Sequence, residues 1–316
     1  LLGANFPALA SYPQNRYVGD VVTSTPNSAD MVSKTFENVE LASQLARNAG
    51  RIAHRMRNEG LTISQKSSIS DVVTEADKAA EEYVVTTLHE QRPNDAILGE
   101  EGTTRTGTSG TRWTIDPVDG TYNFSRNFEY WCSAVAFTEN DPTTDTALTG
   151  RELHLSGSDN VTVGAVYQPC EDTLWVGGKN YPTTRDGVTL PQFGDENRVT
   201  PKDLSSACLN TYLHPRFTSD PEGPINDIHA AWLRVVKSVA TYRMMGSASV
   251  DLASVAEGDT DLWIQHRLPD WDRLPGAALV WGVGGKVVDV DSAGEIWTVA
   301  GAPHLVDEAA ELLVGN

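Results

Sequence analysis

The chain has 316 residues, 40% apolar and 21% charged, proportions that allow one large core or two modest ones and argue against wholesale disorder. Its formal net charge of −19 argues against nucleic acid as a partner, because binding a phosphate backbone relies on clustered Lys and Arg. No apolar run approaches the ~18 residues that a membrane span requires, which argues against a membrane partner.

Residues 1–30 are rich in Ser, Thr, Asn, Pro and Gly, without a basic start or a sustained apolar stretch. They read as a poorly ordered N-terminal extension or surface strap rather than an intact signal peptide. From Phe36 the spacing turns helical: Phe36, Val39, Ala42, Leu45, Ala49, Ile52, Ala53 and Met56 form one stripe, and Gly60 fits its end. Thr74 to Asp77 opens a second helix whose stripe is Ala76, Ala79, Ala80, Tyr83 and Leu88, with Pro93 beyond its end. Residues 96–98 and 112–115 are predicted strands, each running straight into acidic residues, so carboxylates at neighbouring strand ends can converge. Further strands are expected at 131–137, 161–167 and 173–176, with a long polar hairpin loop over 139–160.

Residues 180–200 carry Pro182, Asp186-Gly187, Pro191 and Gly194 and form the best internal boundary. After it the pattern alternates: strand 207–212, helix near 226–238, strand near 239–243, helix 247–257, strand 261–265 and a helix starting at Asp272. Strands 286–290 and 296–300 follow, then a helix carrying Leu305, Val306, Ala309, Leu312 and Leu313. Residues 31–180 thus read as an α+β half and 181–316 as an α/β half, with no internal repeat. Cys132, Cys170 and Cys208 form no CxxC pair and are expected as buried free thiols of a reducing compartment, the cytoplasm.

The densest chemistry lies in Ile115-Asp116-Pro117-Val118-Asp119-Gly120-Thr121. Pro117 fixes one torsion and removes one donor, so the two carboxylates stand on a stiff turn with the Val118 carbonyl between them. Such an all-oxygen set suits a hard divalent ion such as Mg²⁺. Glu100-Glu101 lies upstream and Trp271-Asp272 far downstream. Two like charges ~4 Å apart repel by about 4 kcal/mol at an effective dielectric near 20, so carboxylates gathered in one pocket must protonate or capture metal. Gly120 and Thr121 offer backbone N–H groups, and a helix starting there would present its positive end to a phosphate. The negative net charge opposes an anionic ligand at long range, which points again to bound metal. A lone Asp here would be read as a turn or cap residue; the full set looks like a metal-dependent phosphatase site.

The set resembles the inositol monophosphatase family of lithium-sensitive, Mg²⁺-dependent phosphatases, from about Val32 to the C-terminus. The motifs that carry the resemblance are Gly99-Glu100-Glu101, Asp116-Pro117-Val118-Asp119-Gly120-Thr121-Tyr122-Asn123-Phe124 and Trp271-Asp272. Secondary matches are Asp71-Val72-Val73-Thr74-Glu75-Ala76-Asp77, Val166-Tyr167-Gln168-Pro169 and Gly246-Ser247-Ala248. The resemblance implies a layered αβαβα sugar-phosphatase fold, two to three Mg²⁺ ions per site and a homodimer. It implies Glu100, Asp116 and the Val118 carbonyl as ligands of a first metal, and Asp116, Asp119 and Asp272 as ligands of a second. A third ion would lie near Glu100 and Asp77 with Lys66 close by. Thr121 and Asp77, with Glu100, would position and help deprotonate the attacking water. Gly120 and Thr121 amides would hold the phosphate, with Asp119, Gly246 and Ser247 lining the substrate pocket. The implied substrate is a small phosphate monoester, myo-inositol monophosphate first. Histidinol phosphate, 3′-phosphoadenosine 5′-phosphate and fructose 1,6-bisphosphate are alternatives within the family, and a regulatory or binding protein that keeps the fold is the alternative outside catalysis.

Two departures stand out. Inositol-specific members carry a Glu seven residues before the metal-binding Asp, where this chain has Gln265, which is neutral and also a donor. After Asp272 the usual small residues become Arg273-Leu274-Pro275. Gln265, His266 and Arg267 are read equally as substrate contacts or a solvated strand end. Gly282 to Lys286 lacks the spacing of a phosphate loop and reads as a helix end turning into a strand. Asp289 to Glu295 reads as an ordinary turn. Trp131, Trp232 and Trp281 are expected in the core.

Overall fold

The structure, a computed structural model, describes residues 28–60, 63–65, 72–139, 161–214 and 224–315. Most of the 1–30 segment, Lys66 and residues 140–160 of the expected hairpin loop lie outside the described residues. The expected helices and strands form, with shifted ends. Helix α1 (Ser28–Glu59) starts before the apolar stripe that announced it, and strands β1 (Ile63–Gln65) and β2 (Val72–Thr74) make a small antiparallel pair. Helix α2 (Glu75–Gln91) is opened by Thr74, whose hydroxyl accepts from the N–H groups of Ala76 and Asp77 while the Asp77 carboxylate accepts from the Thr74 N–H. This reciprocal capping box explains why the helix begins there.

A large sheet follows: β3 (Ala96–Gly99), β4 (Thr104–Arg105), β5 (Thr111–Asp119), β6 (Cys132–Glu139), β7 (Val161–Gln168), β8 (Thr173–Gly178), β9 (Tyr181–Arg185) and β10 (Val188–Thr189), in the order β10-β9-β8-β7-β6-β5-β3-β4. Only β3 and β5 pair in parallel; the other neighbours are antiparallel. The short helix α3 (Thr121–Ser125) leaves the end of β5. The smaller sheet, in the order β12-β11-β13-β15-β14, comprises β11 (Cys208–Thr211), β12 (Thr241–Arg243), β13 (Leu262–His266), β14 (Lys286–Ser292) and β15 (Glu295–Gly301). Helices α4 (Pro224–Val236), α5 (Ala248–Glu257), α6 (Asp270–Gly282) and α7 (Pro303–Val314) are interleaved with these strands.

Side-chain alternation along the strands sorts the core into layers. Trp113 and Ile115 of β5, with Val135 and Phe137 of β6, pack on α1 and α2. Cys132, Ala134 and Val166 on the opposite face meet Val250, Ala253 and Leu279 of α5 and α6. Those two helices turn their other side, through Leu252, Val255 and Val280, to Trp263 and Ala300 of the small sheet. The far face of that sheet, with Leu209, Ile264, Trp297 and Val299, is covered by α4 and α7. The result is an αβαβα stack with α5 and α6 enclosed between the sheets.

Several local readings changed on folding, and one turn held. Asp186-Gly187, read as boundary punctuation, is the two-residue turn of the β9–β10 hairpin, with φ of 50° and 81°. Positive φ at both positions suits such a turn, so the large sheet continues past residue 180. Ala293-Gly294 makes the equivalent turn between β14 and β15, with φ of 57° and 76°, as the ordinary turn expected there. Helix α6 begins at Asp270, ahead of Asp272, and continues through Pro275. Trp131 and Trp232 are buried, whereas Trp281 is half-buried with the Lys179 ammonium 4.6 Å from its ring centre. Cys132, Cys170 and Cys208 are free thiols, the first buried and the others half-buried.

Candidate metal centre

The end of β5 is built around a bulge. In register with β6, Asp116 pairs with Ala134 and Asp119 with Cys132, so β5 fits one extra residue between those two pairs. Plain alternation would put positions i and i+3 on opposite faces. The inserted residue cancels that, and Asp116 and Asp119 both face the enclosed helices while Val118 turns into the α1–α2 core. Pro117, which cannot donate to the ladder, sits where the ladder is interrupted, and its carbonyl accepts from the Ser133 hydroxyl.

Glu100 is placed from the neighbouring strand. Just after β3, Glu81 of α2 accepts from the N–H of Glu101 at 2.9 Å and of Thr103 at 3.2 Å, tying down the turn that carries Glu100. A Cβ on Gly99 would lie 2.5 Å from the Glu81 carboxylate, so a larger residue there would displace the carboxylate that holds this turn. Glu81 had no motif to announce it.

Asp116 is buried, and its carboxyl is pushed well above the ordinary range. Loss of solvent is the largest cause, followed by the charges of Glu100, Asp119 and Asp272. Four carboxylates from three separated stretches of sequence therefore act on one another. Asp119 is also raised, by burial, against the hydrogen bonds it accepts from Ser249 N–H at 2.6 Å and Ala248 N–H at 3.2 Å. Those amides open α5, and Asp119 satisfies donors that a helix N-terminus leaves unpaired. Ser249, absent from the expected set, also donates its hydroxyl to the Asp272 carbonyl at 3.5 Å, joining α5 to α6 beside the site. A helix-opening serine in Gly246-Ser247-Ala248-Ser249 was the signal available for it. The Cys132 thiol, 3.9 Å from Asp119 Oδ2, is pushed up by burial and then by Asp119 and Asp116.

Asp77 is fully buried, and burial outweighs its Thr74 bonds to bring its pKa to about 7, with Glu101 and Glu100 adding to the rise. One oxygen accepts from Thr74; the other, Oδ1, has no hydrogen-bond partner among the described residues. Thr121 donates its hydroxyl to the Val118 carbonyl at 3.0 Å. Gly120 takes a left-handed conformation, φ 94° and ψ 39°, which turns β5 into α3 and favours glycine. Across from it runs residue 246: a Cβ on Gly120 would meet the Gly246 carbonyl at 3.2 Å and Ser247 Cβ at 3.3 Å. The Asn123 amide fixes that crossing by donating to Tyr130 and Met245 carbonyls at 2.8 and 2.7 Å. Gly120, Gly246 and Ser247 are thus gathered in one place, with Thr121 the next residue along. Gln265 is half-buried near the end of β13, in register with Thr298. His266 is buried against Trp297, and Arg267 is exposed and pairs with Glu295. Lys66, expected near a third ion, lies outside the described residues.

Among the described residues no three His, Cys, Asp or Glu side chains close into a ready metal cage. Convergence is present instead: the Asp116 carboxyl is raised first by burial and then by the charges of Glu100, Asp119 and Asp272, and a buried oxygen of Asp77 has no hydrogen-bond partner among the described residues. This all-oxygen donor set fits a hard divalent cation, and Glu100, Asp116, Asp119, Asp272 and the Val118 carbonyl are the groups that would hold it.

The αβαβα stack, with an acidic cluster beside its enclosed helices, is the layered fold of the sugar phosphatases. The sequence model of the inositol monophosphatase family matches residues 36–144 and 154–313, and the chain belongs to that family. It is 30% identical over 286 residues to Nus factor SuhB of Xylella fastidiosa, covering 88% of this chain and 90% of that protein. It is 28% identical over 291 residues to inositol-1-monophosphatase of Bacillus subtilis, covering 88% and 91%. Among solved structures, inositol monophosphatase from Anabaena superposes with a TM-score of 0.68 at 24% identity, over 89% of this chain and 96% of that one. SuhB from Bartonella henselae gives 0.70 at 24% identity, over 89% and 99%. The family is generally metal-dependent, and these relationships support a phosphatase of the inositol monophosphatase type. No helix among the described residues is long and apolar enough to cross a membrane.

Proposed function

We propose that the chain is a Mg²⁺-dependent phosphomonoesterase that hydrolyses a small phosphorylated metabolite, with myo-inositol monophosphate as the leading substrate. The observation that carries this reading is the Asp116 carboxyl, raised by burial and then by the converging charges of Glu100, Asp119 and Asp272. Bound divalent ions would supply Lewis acidity at phosphoryl oxygens and lower the pKa of water. The chain's own residues do the rest. Backbone N–H groups of Gly120 and Thr121 hold the phosphate, with Gly246 and Ser247 facing it. The Asp77 carboxylate, with a pKa of about 7, is suited to take a proton from the attacking water near neutral pH. Thr121, its hydrogen already directed to the Val118 carbonyl, presents its oxygen lone pairs to that water. No phosphoenzyme is required, since positioning and charge stabilisation supply the acceleration.

Gln265 in place of a carboxylate widens the substrate choice to histidinol phosphate, 3′-phosphoadenosine 5′-phosphate and, less favoured, fructose 1,6-bisphosphate. The proposal includes two to three ions per site, lithium sensitivity, and a cytoplasmic homodimer that needs neither nucleic acid nor membrane. Phosphate release from these four substrates, with Mg²⁺ and again with chelator, tests it. Chelator-sensitive release from at least one is expected, and no release from any would overturn it. A regulatory reading is favoured by one observation, the 30% identity to a protein named Nus factor SuhB. It would take over if the purified chain bound a protein partner but released no phosphate.

A further inference from the structure

Arg112 and Asp116 share a face of β5, because strand residues four apart point the same way. Both meet the first turn of α6. The charge of Asp272 acts on Asp116, while Arg112 Nη2 donates to Asp270 Oδ2 at 2.7 Å. The other oxygen of Asp270 accepts from Arg273 Nη2 at 2.8 Å. Arg273 Nη1 lies 3.7 Å from Asp289 Oδ2 on β14, and Thr298 on β15 donates to Asp289 Oδ1 at 2.7 Å. The side chains of Arg112, Asp270, Arg273 and Asp289 are 6%, 1%, 1% and 8% exposed. Two guanidinium groups and two carboxylates thus form a charge-balanced chain from the large sheet, through α6, to the small sheet.

Stability alone does not account for such a chain. Desolvating buried ion pairs costs so much that apolar replacements of similar volume are often neutral or stabilising. What the chain does is fix geometry. Pro269 before α6 provides no side-chain cap, and Pro275 lacks the N–H that would reach the Trp271 carbonyl. Asp270 and Asp272 point about 200° apart around the helix at 3.6 residues per turn. Gripping Asp270 and Arg273 from both sheets therefore sets the roll of this turn, and with it the direction of Asp272.

We propose that Arg112, Asp270, Arg273 and Asp289 are positioning residues for Asp272, clamping the first turn of α6 so that its carboxylate faces Asp116 for a divalent cation. Asp270 is not itself a ligand: each of its oxygens is held by a guanidinium. The inference rests on the metal-dependent reading above. Its sequence signal is the departure already noted at Arg273, together with Arg112 four residues before Asp116.

The double variant Arg273→Leu/Asp289→Asn tests it, because it removes one positive and one negative charge and leaves the Arg112–Asp270 pair neutral. Mg²⁺ is titrated calorimetrically into the full chain, beside thermal unfolding in chelator and phosphate release. A fold that melts close to wild type and binds Mg²⁺ about 10–100-fold more weakly is expected, as for lost outer-shell partners. The Mg²⁺ concentration for half-maximal rate should rise equally, with the substrate KM little changed. Affinity within twofold of wild type in the folded double variant would overturn the proposal. Should that variant not fold, Asp289→Asn alone keeps the Arg273–Asp270 pair and is expected to weaken Mg²⁺ severalfold; unchanged affinity there overturns it as well. Asp272→Asn separates the two levels. If it binds Mg²⁺ as wild type does, the metal reading itself fails. If it loses Mg²⁺ while Arg273→Leu/Asp289→Asn does not, only the positioning role is lost.

Discussion

Two buried polar clusters share strand β5 and the first turn of α6, and they are built on opposite rules. Around Arg112 every buried charge meets its opposite, at 2.7 and 2.8 Å on either side of Asp270. Around Asp116 the neighbours Glu100, Asp119 and Asp272 carry the same sign, and the carboxyl is driven toward its neutral form. A balanced cluster is complete as folded, whereas a like-charged one is complete only with something positive added. The contrast supports the proposed site at the like-charged end of this polar seam.

Replacing Asp116 with Asn should sharpen the contrast most. Phosphate release with Mg²⁺ is expected to fall by about 10³–10⁴-fold, the equivalent of several kcal/mol of lost metal-based charge stabilisation. Stability in chelator should move the other way. Because the folded pKa of Asp116 is raised, its contribution is fully present below the unfolded value near 3.9 and is lost as pH climbs through the folded value. The wild type should therefore lose stability from acid toward neutral pH in chelator, and Asp116→Asn should lose less. Equal slopes in denaturant melts at several pH values would break the account.

Asp77→Asn comes next, with an expected loss of about 10²–10³-fold in kcat, within the range for a general acid–base group. The wild-type rate should rise with pH through the Asp77 titration, near 7 before metal lowers it, and the variant should lose that limb. An unchanged pH profile would remove Asp77 from proton transfer. In the balanced cluster, Arg273→Met alone should weaken Mg²⁺ binding as the double variant does and destabilise the fold by about 3–5 kcal/mol, since it strands buried carboxylates. Urea unfolding measures this, and a cost below about 1 kcal/mol would mean that water already reaches Asp289. The smallest effect is expected at the surface. Asp172 is held below the usual carboxylate range first by the Tyr167 hydroxyl at 2.6 Å and then by Arg51 and Arg47, but its side chain is 68% exposed. Asp172→Asn should change stability by less than about 1 kcal/mol, as solvent and salt screen such pairs.

Much of this was legible in residue order. Helical stripes from Phe36 and Ala76, the strand runs into Glu100 and Asp116, and the Thr74–Asp77 opening of α2 were all readable, because periodicity and capping act over a few residues. Asp186-Gly187 was seen but assigned to a boundary, since a turn signal says nothing about whether its flanking strands join a sheet. Glu81 was not legible, and Ser249 was legible only as a helix-opening serine, not in its bonds to the site. Both act on segments distant in sequence, since the Glu81 carboxylate accepts from the Glu101 N–H while Ser249 donates its N–H to the Asp119 carboxylate and its hydroxyl to the Asp272 carbonyl, and a single Glu or Ser carries no mark of such a partner.

By itself, the sequence determined which carboxylates this protein offers and on which elements they ride, because short-range spacing, proline stiffness and apolar period are written in neighbouring residues. Only the tertiary structure decided that a bulge turns Asp116 and Asp119 to one face, and that Arg112, Asp270, Arg273 and Asp289 neutralise one another beside Asp272. Those outcomes depend on strand register and on the docking of α6 between two sheets, where the partners are far apart along the chain and meet only once the layers close.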